Sequence, residues 1–506
     1  MKNSKPQHSQ LANDIVDTAI IGSGFAGLAM AIQLQRAGLD NFRIYERADE
    51  LGGTWRDNQY PGAACDVQSH LYSLSFEPNP LWSRMFACAE EIQAYVLHCV
   101  RTYDLRRRTR TNTTIVRADY NEETGRWLLR AADGHTIDAR AIVSGTGGLS
   151  QPALPKIAGI DRFAGALFHS AQWDHSIDLR GKRVGVVGTG ASSIQIVPAI
   201  ASEVAKLTVF QRTPAWVLPK PDREISEREQ NLYARFPILQ RLQRARLYAK
   251  LDPRSVAFNN FPVLMKPFEL EAKWHIRSAI KDEALAQALT PKYHIGCKRI
   301  LMSNDYYPAM ARDNVDLQTG TSGAIQEIVE EGILTADGTL HELDIIVMAT
   351  GFQTGDSLAP FPIYGRDGQS LTECWGINAE AYKGTTVHGF PNLFILVGPN
   401  TGLGHSSMIL MIEAQVGYTL QALQLLKSRG LRSLEVSRSA QSRYNERLHA
   451  RLEKSVWATG CNAWYTNSEG RNTTMWPGTT TEFIYRMRDF DQDAYRATPQ
   501  VGALQA

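Results

Sequence analysis

The spacing of apolar and polar positions predicts a strand at residues 17–21, a short apolar run that ends in glycines. Residues 27–37 carry Leu28, Ala31, Ile32 and Leu34 at helical spacing and stop at Gly38. Residues 42–46 read as a second strand, which completes a β-α-β unit. The same grammar returns later. Residues 183–187 form a buried strand, 188–193 a glycine-bearing turn, 194–204 a helix that Pro198 breaks or kinks, and 207–210 the next strand. Residues 222–289 differ: they are charged, with Leu239, Leu242, Ala245 and Leu247, then Ala279, Ile280 and Leu285, at helical spacing. Two further apolar strands are expected at 343–348, ending in Ala349-Thr350-Gly351, and at 393–397, ending in Gly398-Pro399. The tail after Ala497 is expected to be disordered.

The expected fold is therefore α/β, with two dinucleotide-binding, Rossmann-like domains, the second inserted in the first, and a helical insertion. The expected boundaries are 1–150 and 350–506 for the first domain, 151–221 and 293–349 for the second, and 222–292 for the helices. Composition leaves this picture intact. A chain of 506 residues is long enough for at least two cores. Its 54 Lys and Arg against 52 Asp and Glu leave +2, a balance that gives no argument for nucleic acid or an anionic membrane as partner. The run Arg106-Arg107-Arg108-Thr109-Arg110 reads as a solvated face. The N-terminus lacks the apolar stretch of a secretion signal, and no run of 18 apolar residues suggests a membrane span, so a cytoplasmic protein is expected. The six cysteines, at 65, 88, 99, 297, 374 and 461, form no C-x-x-C or C-x₄-C. That spacing argues against a structural zinc site, a disulfide framework and a dithiol redox pair, and no metal is expected.

The glycine turns carry the chemistry. Gly22-Ser23-Gly24-Phe25-Ala26-Gly27 lies between strand and helix: Gly22 for the tight turn, Gly24 for backbone approach to a pyrophosphate, Gly27 for helix packing on strand. With 39 glycines the pattern alone arises about 0.2 times per chain by chance, so context carries it. Glu46 supplies that context, a carboxylate at the end of the second strand where a ribose diol would donate to it. Gly188-Thr189-Gly190 repeats the fingerprint, with Ser193 in place of the third glycine. Its second strand ends in Gln211-Arg212-Thr213 and carries no acid. An acid would repel a 2′-phosphate, whereas Arg212 and Thr213 can bind one. The first site thus reads as FAD and the second as NADP, with electrons passing from NADPH to a flavin. Two-nucleotide disulfide reductases share that layout but need a dithiol.

Between the two units lies the segment Phe163-Ala164-Gly165-Ala166-Leu167-Phe168-His169-Ser170-Ala171-Gln172-Trp173-Asp174. It resembles the F-x-G-x-x-x-H-x-x-x-W-[P/D] signature of type I Baeyer–Villiger monooxygenases, class B flavoprotein monooxygenases. Phe163, Gly165, His169 and Trp173 at those offsets arise by composition about 0.0006 times per chain. Gly52-Gly53-Thr54-Trp55 followed by Tyr60-Pro61-Gly62 and Asp66, and then Cys297-Lys298-Arg299, resemble further stretches of that family. Ser193 departs from the pattern at a packing position, and His294 is unusual.

The resemblance implies an FAD- and NADPH-dependent oxygenase in which O₂ adds at the flavin 4a position and the resulting peroxide converts a ketone to an ester or lactone. It implies that Arg299 is the catalytic arginine and Asp66 the carboxylate that orients it. Lys298 then contacts the NADP phosphate, Thr54 and Trp55 lie by the flavin, and Trp464 touches the nicotinamide cofactor or is ordinary packing. The logic is electrostatic, since an attacking peroxide must be an anion and a guanidinium stays charged at any working pH. His169 reads as a fixer of the interdomain linker ahead of a general base. The loop at 401–408 is expected beside the flavin ring, and the aromatic stretch at 457–476 either walls the substrate pocket or packs. Two other readings stay open: a flavin-containing monooxygenase oxidising sulfur or nitrogen, and a non-oxygenating flavin redox sensor or NADPH oxidase. Neither the ketone nor the oligomeric state is legible in the sequence.

Overall fold

A computed structural model describes residues 13–353, 358–461 and 463–500. The strand Asp14–Ile21 lies at the centre of an eight-stranded sheet, parallel to Phe42–Tyr45 on one side and Thr136–Ser144 on the other. Beyond Thr136–Ser144 the sheet continues as an antiparallel meander through Arg126–Ala131 and Ile115–Asn121. Leu393–Ile395 pairs with the far end of Thr136–Ser144, at Ile142 to Ser144. The helix Phe25–Arg36 buries nine of its twelve residues. It is apolar nearly all round because it lies between this sheet and the 21-residue helix Met408–Ser428.

A second sheet has five strands, all parallel, in the order Val315–Thr319, Lys206–Gln211, Arg183–Val187, Ile345–Met348, Ala166–His169. Parallel strands covered on both faces read as unbroken apolar runs, and Val184, Val186, Ile346 and Val347 are fully buried. Every strand of this sheet falls, in chain order, between Thr136–Ser144 and Ile363–Tyr364 of the first. Five α-helices, from Glu227–Arg235 to Glu283–Ala288, occupy the stretch read as a helical insertion.

Three expectations change. The helix at Ser193–Ile200 keeps Pro198 inside but ends short of residue 204, and a turn leads to the next strand. The C-terminal tail is ordered further than expected: Tyr495–Pro499 pairs antiparallel with Leu431–Val436, which satisfies its backbone groups. Residues 501–506 lie outside the described residues.

The third correction concerns cysteine. Cys297 and Cys461 form a disulfide, although 164 positions separate them in sequence. Local spacing cannot reveal such a pair, because the tertiary fold alone brings the two segments together. The tie joins the end of the helical insertion to the C-terminal loop. We predict that peptide mapping without reductant recovers a linked pair holding Cys297 and Cys461. Cys461→Ser is expected to lower stability by roughly 2–4 kcal/mol in denaturant titration without reductant, and to change nothing once reductant is present.

Candidate active site

Both glycine turns open onto one cleft of about 1380 Å³, lined by Gly22, Gly24, Glu46, Gly188, Gly190, Arg212, Thr213, Lys298 and Arg299. That exceeds the usual volume of a single-ligand pocket, roughly 300–1,000 Å³. A methyl group added at Gly27 would lie 1.9 Å from the Gly22 carbonyl oxygen, so helix and turn pack there as only glycine allows. At Gly24 the nearest atom would be 3.7 Å away and at Gly190 nothing lies within 4 Å. The middle glycine of each turn thus faces open cleft, where a phosphate group fits. At the third position of the second turn Ser193 is fully buried, and its hydroxyl has no hydrogen-bond partner among the described residues.

Glu46 follows the strand Phe42–Tyr45 directly and is buried. One carboxylate oxygen accepts from the Ser23 amide at 2.9 Å and the Ser23 hydroxyl at 2.6 Å. The other accepts from the Ala48 amide at 3.0 Å and pairs with the Arg56 guanidinium at 3.0 Å. A carboxylate has about four lone-pair sites, so the protein itself supplies the full set of donors. A ribose diol must share or displace one of them, and the Ser23 hydroxyl is the donor free to rotate. Sequence reasoning missed Arg56, because no periodicity links position 56 to position 46.

At the second turn the Thr189 hydroxyl donates to the Thr213 carbonyl at 2.8 Å and fixes the residue beside Arg212. The Lys298 ammonium lies 5.0 Å from the centre of the Tyr293 ring. Burial, and next the nearby charge of Arg212, lower the Lys298 pKa. Among the described residues neither cation has an acidic partner. Two unneutralised cations at one place could hold a phosphate.

Asp66 and Arg299 meet at the junction. One Asp66 oxygen accepts from Arg299 Nε at 3.0 Å and also from Nη2. The Asp66 charge, working against burial, raises the guanidinium pKa. The Arg299 side chain remains 38% exposed towards the cleft, so its other nitrogen is open to a ligand. Tyr60 donates to Gln195 at 2.9 Å, and Gln195 donates to the Ala64 carbonyl at 2.9 Å. The segment that carries Asp66 is thereby pinned to the helix Ser193–Ile200. Trp55 stacks edge-on against Tyr72 and donates to its hydroxyl at 3.2 Å. Thr54 lines the cleft one residue before it.

The segment at 163–174 is structural. Ala166–His169 is the edge strand of the five-stranded sheet. A side chain at Gly165 would strike the Asp344 carbonyl oxygen at 2.4 Å and the Phe163 ring. His169 Nδ1 accepts from the Ala171 amide, so Nε2 carries the proton and donates to the Gly351 carbonyl at 3.0 Å. Burial lowers the His169 pKa, and the ring stays neutral while it clasps the outgoing chain to the returning one. Trp173 packs edge-on against Phe168, and Asp174 turns outward to cap Ser176. None of Phe163, Gly165, His169, Trp173 and Asp174 lines the cleft.

Leu403, Ser406 and Met408 of the loop at 401–408 do line it, as does Trp464, which is 48% exposed and so is not ordinary core packing. Val397, also in the lining, has φ of 59°, a conformation costly for a β-branched residue. His294 shows no contact that explains it.

A chain with two β-α-β units of parallel strands, each presenting a glycine turn to one cleft, belongs to the class of two-dinucleotide redox proteins. Residues 16–252 match the family described as flavin-binding monooxygenase-like. A Baeyer–Villiger monooxygenase of Pseudomonas aeruginosa is 51% identical over 95% of this chain and 91% of its own length. One of Streptomyces coelicolor is 46% identical over 99% of this chain and 96% of its own. Among solved structures, oxidised steroid monooxygenase bound to NADP superposes with TM-score 0.86 at 32% identity, covering 96% of this chain and all of that one. Cyclohexanone monooxygenase of Rhodococcus sp. Phi1 bound to NADP⁺ gives 0.87 at 27% identity over 96% of this chain and all of that one. The chain belongs to the Baeyer–Villiger monooxygenase family.

The environment of Glu46 makes a prediction about pH. Burial alone would raise its pKa; the Arg56 charge and the Ser23 and Ala48 hydrogen bonds more than reverse this and leave it below the ordinary 4.5. The stabilisation is therefore complete above pH 4.5 and is lost as pH falls towards the lowered folded value. Glu46→Gln is expected to lower stability at neutral pH and to make the acid limb of the unfolding curve shallower, as followed by circular dichroism from pH 7 to about 3.

Proposed function

We propose that this enzyme converts ketones to esters or lactones, using NADPH, O₂ and FAD. The observation that carries the reading is Arg299, held by Asp66 at the meeting point of two nucleotide sites and still open on one side. We assign FAD to the turn at Gly22, Gly24 and Gly27, with Glu46, Thr54 and Trp55 around it. NADP is assigned to Gly188, Gly190, Arg212, Thr213 and Lys298, with Trp464 over its nicotinamide end. We assign residues 1–150 and 350–506 of the sequence to an FAD domain, 151–221 with 293–349 to an NADP domain, and 222–292 to the helical insertion.

Bound FAD, once reduced by NADPH, supplies the activated oxygen that is inserted beside the carbonyl. The chain's own residues do the rest. Arg299 keeps its charge at every working pH and stabilises negative charge that builds on oxygen in the cleft. Asp66 holds the guanidinium plane so that one edge faces that oxygen. Arg212 and Lys298 take the 2′-phosphate between them, and the Thr189–Thr213 bond holds the loop for them. His169, away from the cleft, positions the crossing between the units and transfers no proton to substrate.

Arg299→Ala is expected to retain FAD and NADPH oxidation and to lose ester formation by roughly 10²–10³-fold, with oxygen lost as hydrogen peroxide. Product analysis by mass spectrometry over a ketone panel, with peroxide measured alongside, checks this; undiminished ester yield would refute the role of Arg299. Sulfoxide formation without ester on the same panel would favour the heteroatom reading. Arg212→Ala is expected to lower kcat/KM for NADPH by roughly 10- to 100-fold and leave NADH unchanged, because only NADPH bears the 2′-phosphate. Equal losses with both cofactors would count against the assignment.

A further inference from the structure

The helical insertion carries a surface that neither the fold nor the cleft explains. Of nineteen large hydrophobic side chains exposed among the described residues, ten lie between Leu232 and Trp274, less than a tenth of the chain. Leu270 is 67% exposed and Trp274 65%. The helices concerned have already buried a face of their own. Pro237–Leu251 buries Gln240, Leu247 and Leu251, and Lys266–Ala279 buries Ala272, His275 and Ile276. Four of the ten lie on the outer sides of these two helices at helical spacing. Ile238 and Leu242 continue to Arg246 along one stripe. Along the other run Lys266, Leu270, Trp274 and Arg277. Scattered apolar residues on a surface are normal, but ten within less than a tenth of the chain mark a covered face.

Charge identifies the cover. Over the insertion at 222–292 there are thirteen Lys and Arg against nine Asp and Glu, +4 in a chain whose total is +2, so the remainder is −2. The near-neutral total conceals this segregation. Arg246, Lys266 and Arg277, which continue the apolar stripes, make no ion pair among the described residues. A second copy of this segment would set like charge against like charge. A surface of phospholipid headgroups complements both features, since apolar side chains enter the acyl boundary while Lys and Arg meet the phosphates and Trp sits at headgroup level.

We propose that the helical insertion docks the enzyme peripherally on an anionic lipid surface, through the outer faces of Pro237–Leu251 and Lys266–Ala279. No helix among the described residues is long and apolar enough to cross a membrane, so the contact lies in the interface plane. The inference does not depend on the reaction catalysed, and its test reads binding alone.

The test is co-sedimentation of the full-length protein with vesicles of phosphatidylcholine, with and without about 30% phosphatidylglycerol. Binding is expected to the anionic vesicles, and weaker at high salt. Leu270→Gln with Trp274→Gln is expected to weaken it roughly tenfold or more, with circular dichroism and Tm unchanged. Lys266→Glu with Arg277→Glu is expected to abolish the preference for phosphatidylglycerol. Protein that stays in the supernatant with both vesicles overturns the proposal, as does equal binding to both. A stable dimer in light scattering that the Leu270→Gln, Trp274→Gln variant dissociates also overturns it, because the face would then be covered by a second copy.

Discussion

One ion pair sets the orientation of the cation at the place where chemistry is proposed. Asp66 comes from the segment that follows the first β-α-β unit, and Arg299 follows the helical insertion, 233 positions later. A guanidinium beside a large cleft needs a partner to fix its plane, and a single carboxylate oxygen taking two of its nitrogens does this. The geometry leaves one edge uncommitted. A second acid at the same place would neutralise the charge and a deeper burial would hide it. Neither occurs, and that balance is what an anion-stabilising group requires.

The other interactions serve to keep that pair in register. Tyr60 and Gln195 bind the Asp66 segment to the second unit, and His169 clasps Gly351 where the chain returns to the first. The resemblance segment at 163–174 is thus an edge strand and a clasp, which is why it names the family without touching the cleft. Its glycine is explained by the carbonyl of Asp344 and its histidine by two backbone groups. Neither residue has a reactive neighbour.

Much of the fold was legible because parallel strands covered on both faces leave apolar runs, and 183–187 was read with the bounds the structure has. The glycine turns were legible because a turn against a strand demands particular glycines. Legibility failed where the constraint is tertiary. Arg56 reaches Glu46 across a turn, and Cys297 finds Cys461 across most of the C-terminal third of the chain. The end strand Tyr495–Pro499 looked like a tail because its sequence is polar and its partner, Leu431–Val436, supplies the order. Local charge was hidden in the same way. A total of +2 describes no part of a chain that divides into +4 over 222–292 and −2 elsewhere.

The disulfide also decides which parts of the site move as one. Cys297 immediately precedes Lys298 and Arg299, and its carbonyl accepts from the Tyr465 hydroxyl. Tyr465 adjoins Trp464 and lies four residues beyond Cys461. A covalent bond and a buried hydrogen bond therefore bind the aromatic loop to the arginine segment. The tie between Arg299 and Asp66 is of another kind: both side chains are about a third exposed, and such pairs contribute about 0–1 kcal/mol. Arg299 is therefore held to the aromatic loop more firmly than to Asp66.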